Sequence, residues 1–263
     1  MSGKKVLITG MSGLIGGVLQ KQLQGSHQLS ALNRSDVPGV TCHRGDIADL
    51  ESIKPAFEGV DVVVHLAAAV GPEITWDQHL PSNIVGTYNV FEAARMAGVK
   101  RIIFASTGWV TDSGVVVTDH ETGYPYNLIA EGRFDEVKKP WPMITHESPL
   151  RPVNLYGCTK IWGEALGRYY SDAFDMSVIV VRIGAVTKED KPKFMRQKAI
   201  WSSHRDIAQL LQKCVEAPDS LRWDIFFGVS NNTWGFRDFS HAQQILGYQP
   251  LDNSEQYKDS EIS

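Results

Sequence analysis

The chain has 263 residues, with 26 Lys and Arg against 30 Asp and Glu, for a formal net charge of −4. That length suits one large α/β domain with a modest appendage. The slightly acidic balance excludes a broad nucleic-acid surface, so any phosphate affinity must be local. No apolar run approaches the ~20 residues of a membrane span, and MSGKK before the first apolar run leads us to expect no signal peptide. Cys42, Cys158 and Cys214 are widely spaced, without a metal-ligand pattern, and read as reduced thiols. The expectation is a cytoplasmic protein with no metal, membrane contact or nucleic-acid partner.

Val6-Leu7-Ile8 reads as a buried strand. It leads into Thr9-Gly10-Met11-Ser12-Gly13-Leu14-Ile15-Gly16, after which Ile15, Val18, Leu19 and Leu23 recur at helical spacing. A strand, a tight glycine turn and a helix in this order form a dinucleotide-binding pattern. Gly10 permits the turn, Gly13 lets the backbone approach a pyrophosphate, and Gly16 lets the helix pack closely. The anion then sits on free N–H groups at the helix start. Gly10, Ser12, Gly13, Leu14, Ile15 and Gly16 are therefore expected cofactor contacts.

Strands follow at Gln28–Leu32, at a short run ending in Gly45-Asp46, and at Val60–Leu66. A helical stretch covers Gln78–Ala97, with Ile84, Tyr88 and Phe91 on one face. Arg101–Ser106 is the next strand, Asn154–Tyr170 a helix and Ser177–Ile183 a strand. Near-continuous apolar strands separated by helices predict a parallel sheet covered on both faces, a Rossmann-type doubly wound α/β fold. Its ligand should lie at the C-terminal strand ends. Residues 1–185 read as this dinucleotide-binding domain. Residues 186–263, with a predicted helix at His204–Val215 and an aromatic strand at Trp223–Val229, read as a small C-terminal substrate lobe. Val110–Pro149 lacks clear periodicity, and so long a connection is usually functional or disordered. Its Tyr124, Tyr126, Phe134 and Trp141 predict an ordered lid or wall over the pocket.

The end of the second strand bears on cofactor choice. An acidic residue there holds the ribose 2′-OH of NAD, whereas an arginine accommodates the phosphate of NADP. The chain has Asn33-Arg34, so NAD(P) is expected, with NADP favoured over NAD. Tyr156 and Lys160, four apart, share one helix face. A phenol with an ordinary pKa of about 10 is a poor base at neutral pH. A neighbouring ammonium and the positive charge of an oxidised nicotinamide favour the phenolate. His65, inside VVVHLAAA, reads as a core residue rather than a proton shuttle.

Together, the N-terminal TGxxGxxG and Tyr156-Gly157-Cys158-Thr159-Lys160 resemble the extended branch of the short-chain dehydrogenase/reductase superfamily. The resemblance implies that Thr107 hydrogen-bonds the reacting oxygen and that Asn83, in Asn83-Ile84-Val85-Gly86-Thr87, supports the site. It places Asp46 and Ile47 beside the adenine, and Leu66, Ala67, Ala68 and Ala69 beneath the cofactor. Lys160 and Ile183 complete the implied cofactor contacts.

Within that branch the chain is similar to uronate and related sugar dehydrogenases, in Arg182-Ile183-Gly184, Arg196, Trp201 and Gly247-Tyr248-Gln249-Pro250. Arg196 matches the arginine that holds the sugar acid's carboxylate, a task suited to a bidentate guanidinium. Where uronate dehydrogenases carry Ser-Asn-His after the fifth strand, this chain has Thr107-Gly108-Trp109. Val70 and Ala185 stand at two further substrate positions. Expected substrate contacts are Val70, Thr107, Gly108, Trp109, Ala185 and Arg196, in a pocket made more apolar by Val70, Trp109 and Trp141.

The resemblance implies hydride transfer between nicotinamide and a hydroxyl or carbonyl of an aldose or uronic acid. It also implies a homodimer paired through the 78–97 helix and the helix carrying Tyr156. A nucleotide-sugar epimerase or dehydratase with retained NAD stays open beside this reading, as does a non-catalytic NAD(P)-binding sensor.

Overall fold

Seven parallel strands form the centre of the computed structural model, which describes residues 3–71, 73–111, 123–258 and 262. Strand β1 (Lys5–Thr9) lies between β2 (Gln28–Asn33) and β4 (Val62–His65), with Val6 opposite both Leu29 and Val62. Outside β2 lies β3 (Thr41–Arg44); outside β4 lie β5 (Arg101–Thr107), β6 (Ser177–Ile183) and β7 (Trp223–Gly228). The order β3-β2-β1-β4-β5-β6-β7 reverses direction between β1 and β4, and a crevice opens there at the carboxyl ends of the strands.

Alternation along each strand divides the core between the two faces. Val6, Ile8, Val64, Ile103 and Val181 join Leu19 and Leu23 of α1 (Leu14–Leu23), together with Leu210 and Leu211 of a helix near the C-terminus. Leu7, Val63, Ile102, Phe104 and Val180 join Val90, Phe91, Leu166 and Tyr170 on the other face. Both faces are therefore buried, which is why the strands read as continuous apolar runs.

The stretch expected as one helix over Gln78–Ala97 begins earlier and is wound in three parts. Thr75 and Gln78 form a reciprocal cap ahead of Trp76–His79, Leu80–Val85 is π-helical, and Gly86–Met96 returns to α geometry. Pro81 has no N–H to donate, so the helix widens here rather than continuing regularly. Ile84, Tyr88 and Phe91 do not share one environment. Phe91 meets Phe104 and Tyr170 edge-on over the sheet, whereas Tyr88 is exposed.

The division expected at residue 185 does not separate the core. β7 pairs with β6 from Val178–Trp223 to Ile183–Gly228, and the helix His204–Glu216 packs beneath the same sheet. The physical reason lies in β6, which is buried at every position from Ser177 to Ile183. Left as an edge, it would present an unpaired apolar strand. The C-terminal segment supplies the covering strand, Ala242 and Tyr248 join the same core, and Val186, Phe194, Arg196, Gln197, Ile200 and Arg237 line the crevice.

Within the excursion, residues 112–122 lie outside the described residues. Tyr126–Glu131 is helical, and Tyr126, Phe134 and Trp141 pack on Phe236 and Trp234. The neck is closed by backbone bonds from Arg151 to Val110 (2.8 Å) and from Val153 to Trp109 (3.0 Å).

Candidate active site

The crevice holds a cavity of about 800 Å3, bounded at one end by Gly10, Ser12, Gly13, Leu14, Ile15 and Gly16. Gly10 has φ +71°, and a Cβ there would lie 2.8 Å from the Ala67 nitrogen. A Cβ on Gly16 would lie 2.5 Å from Met11 Cα, so the helix sits directly on the turn. Gly13 begins α1 without a side-chain cap. The first N–H groups of the helix are thus left to an anion. This cradle fits a pyrophosphate, as the glycine spacing predicts.

Beside the glycine turn the cavity is walled by Asn33, Arg34, Asp46 and Ile47, the residues expected near an adenosine. Asn33 donates to Ser12 Oγ at 2.6 Å, joining the second strand to the glycine turn. Asn89 donates to the Ile47 carbonyl at 2.8 Å, and a Cβ at Gly86 would meet Ile47 Cγ1 at 2.5 Å. Gly86 of the Asn83–Thr87 segment therefore lets Ile47 reach the cavity wall. Leu66, Ala67, Ala68 and Val70 line the floor, but Ala69 does not. Its N–H and carbonyl are both held by the Asn83 amide, at 2.8 and 2.9 Å. The same amide donates to Thr159 Oγ1 at 3.1 Å, so Asn83 ties the β4 loop to the helix of Tyr156 from outside the cavity.

That helix, Leu155–Phe174, is capped by Asn154, which accepts from the Gly157 N–H at 2.9 Å. Tyr156, Lys160 and Thr107 all line the cavity, with Ala105, Ser106 and Ile183 beside them. Lys160 donates to the Ala105 carbonyl at 2.8 Å, and its Nζ lies 5.6 Å from the Tyr156 ring centroid. Burial pulls the Lys160 ammonium down to about 7, with the Glu164 carboxylate opposing the fall. Burial alone pushes the Tyr156 phenol above its ordinary value. The sequence-based expectation of a phenol lowered by Lys160 is thus countered by desolvation, which disfavours the phenolate inside a low-dielectric wall.

One turn further along the helix, Glu164 accepts from Ser106 Oγ at 2.6 Å and from Arg182 Nε and Nη2 at 3.0 and 2.8 Å. This buried network locks β5, β6 and the Tyr156 helix together. His65 is a core residue, as expected. It bridges Thr9 Oγ1 (2.7 Å) and Thr87 Oγ1 (3.3 Å), and burial takes it down to about 3.

The cavity also brings together Val70, Trp109, Ala185 and Arg196, the expected substrate contacts, but two expectations fail there. Gly108 does not line the cavity; its missing side chain leaves the place taken by the Arg237 guanidinium. Trp141 does not line it either. Its ring stacks on Trp234 at 5.5 Å and its Nε1 donates to the Gly235 carbonyl, because the excursion folds onto the C-terminal segment. None of the described excursion residues from 123 to 149 reaches the cavity wall.

Sequence reasoning missed Arg237 and the Ser106–Glu164–Arg182 network. Arg237 lies far from Thr107, Tyr156 and Lys160 in sequence, in a segment without periodicity. The one available signal was a small residue, Gly108, directly after the strand that ends in Thr107. The pocket expected to be more apolar has Arg237 among its lining residues in addition to the expected Arg34 and Arg196.

A model of the NAD dependent epimerase/dehydratase family matches residues 6–224. The NAD-dependent glucose-6-phosphate dehydrogenase of Haloferax volcanii is 34% identical over 262 residues, covering 96% of this chain and 95% of that protein. The uronate dehydrogenase of Agrobacterium fabrum is 33% identical over 260 residues, covering 97% of this chain and 87% of its own. A crystal structure of a mutant uronate dehydrogenase from Agrobacterium tumefaciens complexed with NAD superposes with a TM-score of 0.82 at 30% identity, covering 99% of this chain and 89% of that one. With a family model spanning most of the sheet and relatives aligned almost end to end, this chain belongs to the NAD-dependent epimerase/dehydratase family.

Proposed function

We propose that the chain is an NAD(P)-dependent dehydrogenase that oxidises a hydroxyl of an aldose or uronic acid, or reduces the corresponding carbonyl. The observation that carries this reading is a single cavity walled by the glycine turn at one end and by Thr107, Tyr156 and Lys160 at the other. The sugar dehydrogenase relatives support the substrate class.

Bound nicotinamide supplies the hydride acceptor and a positive charge that favours the Tyr156 phenolate against burial. Tyr156 takes the substrate hydroxyl proton as the hydride leaves the carbon that bears that hydroxyl. Lys160, held by the Ala105 carbonyl, keeps its ammonium toward the phenol and the nicotinamide ribose. The Thr107 hydroxyl donates to the reacting oxygen while its own oxygen accepts from the Trp109 N–H at 3.3 Å. Asn83 acts as a positioning residue through Ala69 and Thr159. Val70, Trp109, Ala185 and Arg196 contact the sugar. In this division residues 186–263 supply substrate contacts while lending one strand and one helix to the sheet.

Arg34 beside the adenosine ribose favours NADP over NAD, since its guanidinium suits a 2′-phosphate. A homodimer is supported by exposed Tyr88, Met96, Trp162 and Tyr169 on two helices packed side by side over the sheet. A patch of this kind marks an interaction surface. Three free cysteines suit a reducing cytoplasm, and among the described residues no helix is long and apolar enough to cross a membrane.

Purified protein incubated with NAD or NADP and a panel of aldoses, uronic acids and nucleotide sugars tests the reading. Exchangeable cofactor and reduced-nicotinamide absorbance with a free sugar support it. Cofactor retained through purification with turnover only of a nucleotide sugar would replace it with an epimerase.

A further inference from the structure

His79 is a buried imidazole that the reaction described above does not use. It closes the short helix Trp76–His79, directly ahead of the π-helical turn Leu80–Val85 that carries Asn83. Wide turns of this kind are frequent at functional sites. His79 Nδ1 lies 2.9 Å from Asn83 Nδ2. An amide nitrogen only donates, so Nδ1 is the acceptor and the ring proton is on Nε2. Burial first, and then the Lys160 ammonium, lower His79 below the ordinary histidine range, with the Ala69 carbonyl opposing them. The bonded form is thus the neutral ring.

This contact opens a chain that ends on Tyr156. Asn83 Nδ2 also donates to Thr159 Oγ1 at 3.1 Å, and Thr159 gives its own proton to the Tyr156 carbonyl at 2.8 Å. His79, Asn83 and Thr159 are 1%, 2% and 1% exposed, so solvent does not compete for their polar atoms. The two amide protons of Asn83 face three acceptors, the Ala69 carbonyl, Thr159 Oγ1 and His79 Nδ1. Its oxygen is taken by the Ala69 N–H. Turning the amide over would set that oxygen against all three acceptors, and the His79 lone pair adds to the penalty. The His79 ring also stands 5.9 Å from the Tyr156 ring, tilted by 31°, while Trp109 meets Tyr156 edge-on at 6.2 Å.

From this chain we infer that His79 is a positioning residue for Tyr156, acting through its acceptor nitrogen on the Asn83 amide rather than through ring packing. The inference takes the role of Tyr156 from the dehydrogenase reading and goes beyond it. With the acceptor gone, Asn83 is held less firmly, Thr159 loses its fixed donor, and the first turn of the Tyr156 helix is free to shift the phenol from the reacting oxygen. Small misplacements of this kind cost rate rather than binding.

Two variants separate the acceptor from the ring. His79→Phe keeps a ring against Tyr156 and removes the acceptor. His79→Asn removes the ring and offers an amide oxygen near the position of Nδ1. The rate is the single-turnover reduction of NAD or NADP by the sugar of the panel above that the wild type oxidises. One hydrogen bond is worth a factor of roughly 2 to 12, so His79→Phe should slow this step by that factor. KM and cofactor affinity should stay unchanged, and His79→Asn should recover most of the rate. Thr159→Val cuts the chain at its next link and should slow the step to a similar extent, which keeps the test open if His79→Phe does not fold. The double variant should fall no further than the slower single one, since both changes cut one chain. A wild-type rate in folded His79→Phe, or a rate in His79→Asn no better than in His79→Phe, overturns the inference.

The isotope-labelled Cζ resonance of Tyr156, recognised among the eight tyrosines by its absence from Tyr156→Phe, provides a readout without turnover. It should move in His79→Phe and return in His79→Asn, and a resonance unmoved in His79→Phe overturns the inference. If the wild type oxidises none of the sugars, the dehydrogenase reading falls, and this resonance alone decides whether His79 positions Tyr156.

Discussion

Glu164→Gln probes the network that holds the Tyr156 helix against the catalytic strand. Glu164 and Arg182 are 5% and 2% exposed at their side chains, and the carboxylate accepts two bonds from the guanidinium and one from Ser106. The amide keeps the shape but turns a donor toward Arg182 and leaves its charge buried without a counter-charge. Removing one partner of such a pair costs about 3–5 kcal/mol. At about 2–4 °C per kcal/mol for a chain of this size, the melting midpoint should fall by roughly 6–20 °C. Glu164 also opposes the fall of Lys160, which burial sets at about 7. Without the carboxylate the Lys160 value drops further, so the ammonium is lost at lower pH and the alkaline limb of kcat/KM moves to lower pH. Circular dichroism melts and pH–rate profiles read the two effects separately. The double variant Glu164→Leu, Arg182→Leu should recover most of the stability, because a well-packed apolar pair replaces the ions at little net cost. A loss below about 1 kcal/mol, typical of a surface pair, together with an unmoved alkaline limb would refute the reasoning.

Tyr156→Phe should lower kcat by about 10²–10⁴-fold, the usual span of general acid–base catalysis, with cofactor affinity nearly intact. Retention of a tenth of wild-type kcat would remove Tyr156 as the base. Arg34→Ala should weaken NADP binding more than NAD binding by about 1.5–3 kcal/mol, measured by titration calorimetry. Equal losses would end the NADP preference. Gly16→Ala places a Cβ 2.5 Å from Met11 Cα and oxygen, so the glycine turn must shift. Affinity for both cofactors should drop together, and unchanged affinity would show that the turn is not the pyrophosphate cradle.

Features set by contacts within a few residues of one another were legible in the chain alone. The glycine turn depends on backbone space within one βα unit, so Gly10, Gly13 and Gly16 announce it directly. The strands are buried on both faces, so each is a run such as Val62–His65 that needs no partner to be recognised. Tyr156 and Lys160 are one helical turn apart, and their adjacency follows from helix geometry.

What the chain alone did not show depends on residues brought together from distant segments. β7 joins the sheet because β6 would otherwise be an unpaired apolar edge, a requirement visible only once the strand order is known. Trp141 reads as a pocket aromatic until Trp234 is seen to offer it a stacking face. Asn83 reads as a site residue, but its amide is spent on Ala69 and Thr159 rather than on the cavity. Gly108 and Arg237 carry the point furthest, since a glycine's missing side chain says nothing of what fills the space. The placing of Arg237 behind Gly108 is therefore decided by tertiary packing, whereas the glycine turn is written locally.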